Sequence, residues 1–219
     1  MSAEEHPERK PAAAAFRGAI LLSVFAVAGA GLVALTHAWT KERIADNQQR
    51  YVLRTLNEIL PASDYDNALY EDTLEVDAPG LSGGREKILV YRARKNGQPV
   101  AAILSVIAPD GYSGDIALLV GIYLNGEIAG VRVVAHRETP GLGDDIEASR
   151  SDWILQFREK SLAEPPLQAW AVKRDGGEFN QFTGATITPR AVVRSLRDTL
   201  LYFRDHREML FDHPVKDSQ

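Results

Sequence analysis

Cysteine is absent from this 219-residue chain. Its absence excludes disulfides, thiolate zinc sites, Cys-ligated iron–sulfur clusters, c-type haem attachment and any thiol nucleophile. An excess of positive charge is also missing: 25 Lys and Arg stand against 30 Asp and Glu, for a formal net charge of -5. That balance argues against a nucleic-acid partner. His6, His37, His136, His206 and His213 are scattered with no pair at metal-ligand spacing, so no metal site is expected. Walker-type and GxGxxG loops are lacking, as is any repeat at solenoid periods. The chain's chemistry must therefore use oxygen, nitrogen or a borrowed cofactor.

What is present begins with an apolar run. Gly18 to Trp39 spans 22 residues without Lys, Arg, Asp or Glu. As a helix it would measure roughly 33 Å, enough to cross a hydrocarbon core of about 30 Å. Trp39, Lys41 and Arg43 suit the interfacial flank, and Ala28, Gly29, Ala30 and Gly31 would let another transmembrane helix approach closely. A cleaved signal peptide is the competing reading, because Ala26-Val27-Ala28 and Ala28-Gly29-Ala30 are both small-x-small sites. The run continues past both, which favours an uncleaved single-pass anchor. Arg9, Lys10 and Arg17 before the span balance Lys41, Arg43 and Arg50 after it, so charge does not assign the sides. The expected organisation is a tail at 1–17, a transmembrane helix at 18–39 and one domain at 40–219.

Thr40 to Leu60 reads as a helix that continues the anchor and stops at Pro61. Asn57 to Gly84 is rich in Asp, Pro and Gly and reads mostly as loop. Strands are expected at Ile88–Tyr91, Pro99–Ala108, Leu118–Leu124 and Ile128–Ala135, with Asn125-Gly126 as a tight hairpin signal between the last two. A short helix at Asp152–Phe157, a possible strand at Gln168–Lys173 and an amphipathic helix at Pro189–Phe203 complete the pattern. Val192, Val193, Leu196, Leu200 and Phe203 share the apolar face of that last helix. The fold class is α+β: one anchor, then a compact domain with an antiparallel-rich sheet and flanking helices. Trp153 and Trp170 are expected in the core, Asp144, Asp145 and Glu147 in a solvated acidic turn, and the tail after Phe203 as a solvated helix end.

The chemistry concentrates at residues 179–190. Thr188 followed by Pro189 reads as a helix start, with a hydroxyl N-cap and proline at the first helical position. The helix's unpaired N–H groups would then face Thr186 and Thr183 and favour a phosphate. Gly184 and Ala185 keep bulk away, and the Thr186 hydroxyl can contact a phosphate or be esterified by one. The same residues also make an ordinary cap and turn. In a second segment, Glu138-Thr139-Pro140-Gly141-Leu142-Gly143, the stretch from Pro140 to Gly143 would expose backbone N–H groups and set Leu142 against an aromatic ring, or the segment would form a plain surface turn.

Thr183-Gly184-Ala185-Thr186-Ile187-Thr188 resembles the [ST]GATxT flavinylation motif of the FMN-binding domain family. Glu138 to Gly143 is similar to that family's ETPGLG loop, and Gly111-Tyr112-Ser113-Gly114 to its GYSG-type turn. With the anchor, the whole chain resembles the G subunits of Rnf-type electron-transport complexes; the C subunits of sodium-pumping NADH:quinone reductases are the nearest alternative. The resemblance implies FMN bound covalently through a phosphoester to Thr186 and installed by a separate flavin transferase. Thr183, Gly184, Ala185 and Thr188 would shape the phosphate end, and Glu138, Thr139, Pro140, Gly141, Leu142 and Gly143 would line the flavin. No residue is expected as a catalytic acid, base or nucleophile in turnover. The implied partners are the other membrane subunits and membrane lipid. The implied place is a bacterial inner membrane with the domain on the periplasmic side, and the implied function is electron transfer coupling ferredoxin–NAD flow to ion translocation. A flavin-binding sensor and a membrane-anchored scaffold are the rival functions. One departure stands out: the family often carries Asp where this chain has Asn180.

Overall fold

A computed structural model describes residues 11–212, with side chains described except at 11–14, 38, 41–49 and 51. The chain divides into two units, Met1–Arg50 and Tyr51–Gln219. Helix α1 runs Pro11–Ile59. Within it Ala15–His37 is long and apolar enough to cross a membrane, with a mean hydropathy of 2.3 and none of that window buried. Two threonine hydroxyls near its end turn back on the helix: Thr36 donates to the Leu32 and Val33 carbonyls at 2.9 Å, and Thr40 to the Thr36 carbonyl at 2.7 Å. Polar side chains bonded to their own helix leave little to desolvate.

The second unit is built on a five-stranded antiparallel meander in the order β1-β2-β3-β4-β5. Its strands are β1 Thr73–Val76, β2 Ile88–Lys95, β3 Gln98–Gly111, β4 Gly114–Tyr123 and β5 Ile128–Ala135. Both faces are covered, so the strands read as nearly continuous apolar runs. Ala102, Leu104 and Val106 of β3 face helix α2, Ile187–Asp212, in one core cluster. Ala101 and Ile103 join Leu56, Ile59 and Leu60, at the end of α1, in the other. The period of two thus sorts one strand between two cores. Paired Gly121 and Gly130 make the second contact possible. A Cβ on Gly121 would fall 2.4 Å from Ile59 Cγ2, and one on Gly130 would fall 2.9 Å from the Ile59 carbonyl oxygen.

Two expected elements are corrected, and the 57–84 stretch, mostly loop as expected, gains one short strand. That strand is β1, whose position depends on a buried ion pair. Asp72, 4% exposed, accepts from Arg92 Nε at 2.6 Å and from Arg94 Nε at 3.0 Å, joining the strand's start to β2. Four residues in a polar context carry too little pattern to be read alone. Gln168–Lys173 is not a strand. Leu167–Ala169 and Lys173–Asp175 are short 3₁₀ turns, and Trp170 is buried with Nε1 bonded to the Ser161 and Pro165 carbonyls. Helix α2 extends to Asp212, with Leu210 and Phe211 buried, so its end is docked rather than solvated. The 3₁₀ helix at Asp152–Phe157 and strand β5 have the expected bounds.

Candidate functional site

The cleft of interest lies where the β3–β4 hairpin tip, the loop after β5 and the start of α2 meet. The β3–β4 hairpin closes with Gly111 opposite Gly114, leaving Tyr112 and Ser113 at its tip. After β5 the chain enters a turn in which Leu142 N–H donates to the Thr139 carbonyl at 3.1 Å. Pro140 precedes Gly141, whose φ of 76° is left-handed. This is the pattern of a type II turn, with proline supplying its preset φ and glycine the positive one. Before α2, Ala185 N–H donates to the Phe182 carbonyl at 3.3 Å, with Gly184 at φ 84°. Two glycine turns therefore face each other; a Cβ on Gly184 would lie 4.0 Å from Leu142 Cδ2.

Aromatic packing presents the second turn. Phe179 packs against Phe157 at 4.8 Å and Trp170 at 4.9 Å, while Phe182 packs edge-on against Trp153 at 5.1 Å. With Phe179 and Phe182 inward, Asn180 and Thr183 are exposed. Trp153 is half-buried and donates Nε1 to the Asn180 carbonyl at 2.7 Å, so that backbone is fixed while the Asn180 side chain faces water. Among the expected core tryptophans, Trp170 is the one that is fully enclosed.

Glu138 organises the first turn. It is 5% exposed; Oε1 accepts Ser113 N–H at 3.0 Å and Oε2 accepts the buried Thr188 hydroxyl. One carboxylate thus joins the hairpin tip, the loop and α2. Gly143 leaves it room, since a Cβ there would stand 2.7 Å from Glu138 Oε2. Behind it, Glu138 N–H donates to His136 Nδ1 at 3.0 Å, and His136 Nε2 meets Glu147 Oε1 at 2.6 Å. With Nδ1 accepting, the neutral ring carries its proton on Nε2 and donates to Glu147. That hydrogen bond is the main cause holding the Glu147 carboxyl below its usual range.

Two local readings change. Thr186, not Thr188, caps α2: the helix begins at Ile187 and Arg190 N–H donates to the Thr186 carbonyl at 3.2 Å. The Thr188 hydroxyl is committed to Glu138, and Pro189 falls in the first turn where its missing N–H costs no helix bond. Nor do Gly141, Leu142 and Gly143 offer free N–H groups. Theirs bond to Asp144 Oδ1 and the Thr139 carbonyl. Asp144 is accordingly buried rather than solvated.

The resulting cleft encloses about 340 Å³. Of the expected residues it is lined by Glu138, Thr139, Leu142, Gly143, Gly184, Ala185, Thr186 and Thr188; Thr183, Pro140 and Gly141 are exposed and outside the lining. Tyr112 and Ile187 join the wall. Tyr112 belongs to the GYSG-type turn, but no chemical feature of the sequence marks it as lining. Leu142, Tyr112 and Ile187 are all exposed, giving the mouth an apolar rim. Such a cleft, with one hydroxyl at its half-exposed end, fits a flat aromatic ring attached to a phosphate. Arg174, unmarked in the sequence, lies near that end with Nη1 at 3.4 Å from Thr186 Oγ1. Among the described residues no cluster of three or more His, Asp or Glu is arranged to hold a metal ion.

Residues 111–201, from that hairpin tip into α2, match the FMN-binding domain family. Fold and cleft together define an FMN-binding-domain protein behind an apolar helix. Residues 6–59 match the RnfG N-terminal region. The chain is 51% identical over 194 residues to the G subunit of the ion-translocating oxidoreductase complex of Pseudomonas aeruginosa, covering 89% of this chain and 91% of that one. It is 44% identical over 195 residues to the corresponding G subunit of Pseudoalteromonas atlantica, covering 89% and 91%, and 43% identical over 198 residues to that of Vibrio cholerae, covering 90% and 94%. The chain belongs to the family of G subunits of ion-translocating oxidoreductase complexes.

Proposed function

We propose that this chain is the membrane-anchored electron-transfer subunit of an Rnf-type complex, with FMN esterified to Thr186. In this reading α1 anchors it in a bacterial inner membrane and the domain stands on the periplasmic side. The complex couples ferredoxin–NAD electron flow to ion translocation. The observation that carries the reading is the cleft itself: an apolar-rimmed slot ending at the half-exposed Thr186 hydroxyl, in a chain about half identical to a known G subunit. Those relatives favour the G subunit over the C subunit of a sodium-pumping reductase.

FMN, when bound, supplies reversible one- and two-electron chemistry. The chain's own residues hold and orient it. Leu142, Tyr112 and Ile187 supply apolar contact and exclude water from the faces of the ring, while Glu138 fixes the distance between the walls. Gly184 and Ala185 let the phosphate end reach the backbone. Attachment balances as a phosphoryl transfer: Thr186 Oγ1 bonds to the flavin-side phosphorus of FAD, the pyrophosphate bond breaks, and AMP leaves. The hydroxyl proton passes to a base of the transferase. An ester also prevents loss of a cofactor that a periplasmic domain has no ready means to recapture.

Expression of the full chain with a flavin transferase should add the mass of one FMN less one water. Thr186→Ala should abolish the addition. Retention of flavin by Thr186→Ala through denaturing electrophoresis would refute attachment at this residue.

A further inference from the structure

The phosphate end has one feature that neither the motif nor the cleft requires. Lys173–Asp175 form a 3₁₀ turn outside the cleft lining. Four bonds tie this turn to the stretch that carries Thr186. Lys173 N–H donates to the Phe179 carbonyl at 2.8 Å, and Arg174 N–H to Gln181 Oε1 at 3.3 Å. Asp175 accepts from Arg190 Nε at 2.5 Å and from Nη2 at 2.8 Å. Arg190, in the first turn of α2, is therefore already committed to a carboxylate. Arg174 is not: among the described residues, the side-chain hydrogen bond of its guanidinium is to Thr186 Oγ1.

That contact is long for a hydroxyl. Charge-assisted N–H···O bonds run about 2.7–2.9 Å, so at 3.4 Å the guanidinium gains little from Oγ1 itself. It is better matched to an anion borne on Oγ1. The backbone alone makes a poor cradle there, because the first turn of α2 has N–H groups at Ile187 and Thr188 but none at Pro189. A phosphodiester on Thr186 would carry a full negative charge with one backbone donor fewer than an ordinary helix start offers.

We propose that Arg174 is a positioning residue that holds the phosphodiester on Thr186, supplying the donors that Pro189 withholds. The proposal rests on the covalent FMN reading. Its geometry is preset by the clamped turn, so the guanidinium is in place before the ester forms. Bidentate reach and permanent charge make arginine better suited than lysine to this task.

The test uses the full chain in detergent with a purified flavin transferase and FAD, as wild type, Arg174→Lys and Arg174→Gln. Intact mass against time gives the rate of ester formation, and ³¹P NMR of the completely modified proteins reports the phosphodiester's surroundings. Arg174→Gln should slow mass gain by about ten-fold, the equivalent of one charge-assisted hydrogen bond. Its ³¹P resonance should move towards that of a free flavin phosphodiester. Arg174→Lys should fall between wild type and Arg174→Gln in both readouts, with unfolding midpoints unchanged. A wild-type ³¹P resonance in Arg174→Gln would overturn the proposal even if mass gain slowed, since the effect would then lie in docking of the transferase. Failure of the wild-type chain to gain mass would overturn the covalent reading instead.

Discussion

Two glycine turns face each other across the cleft, and they share a backbone design while differing in what braces them from behind. Thr139–Leu142 and Phe182–Ala185 each close with an N–H to carbonyl bond and carry left-handed glycine at the third position. The first is braced from behind by Glu138, Asp144 and the His136–Glu147 pair, with the N–H groups of Gly141 and Leu142 consumed. The second rests on an aromatic plate. The turns themselves are alike in facing water, with Thr139 to Leu142 exposed in one and Thr183 and Gly184 in the other. The difference separates two tasks. A wall that must hold its distance from a ring benefits from satisfied, buried polar groups. Under the proposed attachment at Thr186, the second segment needs its backbone fixed from below and its hydroxyl left accessible.

The largest effect expected on stability is from Glu138→Ala. Removing the carboxylate strands the Ser113 N–H and the Thr188 hydroxyl, at a cost of about 3 kcal/mol in urea unfolding of the full chain. The change should also loosen the hairpin tip that carries Tyr112. A cost under about 1 kcal/mol would mean that water replaces the carboxylate and that the first wall is no better braced than the second.

A smaller effect tests the shared design. Gly141→Ala and Gly184→Ala both force a Cβ into a left-handed φ, with no neighbouring atom closer than 4.0 Å. Each should cost about 1 kcal/mol, the strain of the conformation alone. Unequal costs would show that the two turns are not the same device.

The smallest effect concerns the brace behind the first wall and is read from pH. The His136 hydrogen bond lowers the carboxyl pKa of Glu147 in the folded protein. A group depressed on folding stabilises above its unfolded pKa of about 4.3, and that contribution is lost as pH falls through the lower folded value. Glu147→Gln should therefore lower the urea midpoint slightly near neutral pH, and the gap from wild type should close below about pH 4. A gap that persisted undiminished to about pH 3 would assign the effect to lost packing rather than to charge.

Much of this fold is legible in the sequence because it is written in local pattern. The long apolar run, the short apolar strands and the Val192–Phe203 face are each local patterns. Contacts distant in sequence are not legible there. Asp72 meets Arg92 twenty residues on, and Thr188 meets Glu138 fifty residues away. Reading Thr188 as the cap is reasonable locally, since hydroxyl-then-proline is a common helix start. The bond to Glu138 draws that hydroxyl inward, and the helix begins a fraction of a turn earlier at Ile187. Likewise Arg174 lies in a stretch with no motif, and only folding brings it beside Thr186.

By itself, the sequence determined the class of chemistry. With no cysteine, thiol and iron–sulfur chemistry are excluded, and a threonine between small residues at a helix start is where the proposed reading attaches an organic redox ring. The apolar helix, the α+β domain and both cleft segments were also legible there. Tertiary structure alone decided which wall is rigid, which threonine caps the helix and which arginine stands by the hydroxyl. The physical reason is range. Periodicity, turns and caps act over a few residues, whereas Glu138 and Arg174 meet partners that only the folded domain brings near.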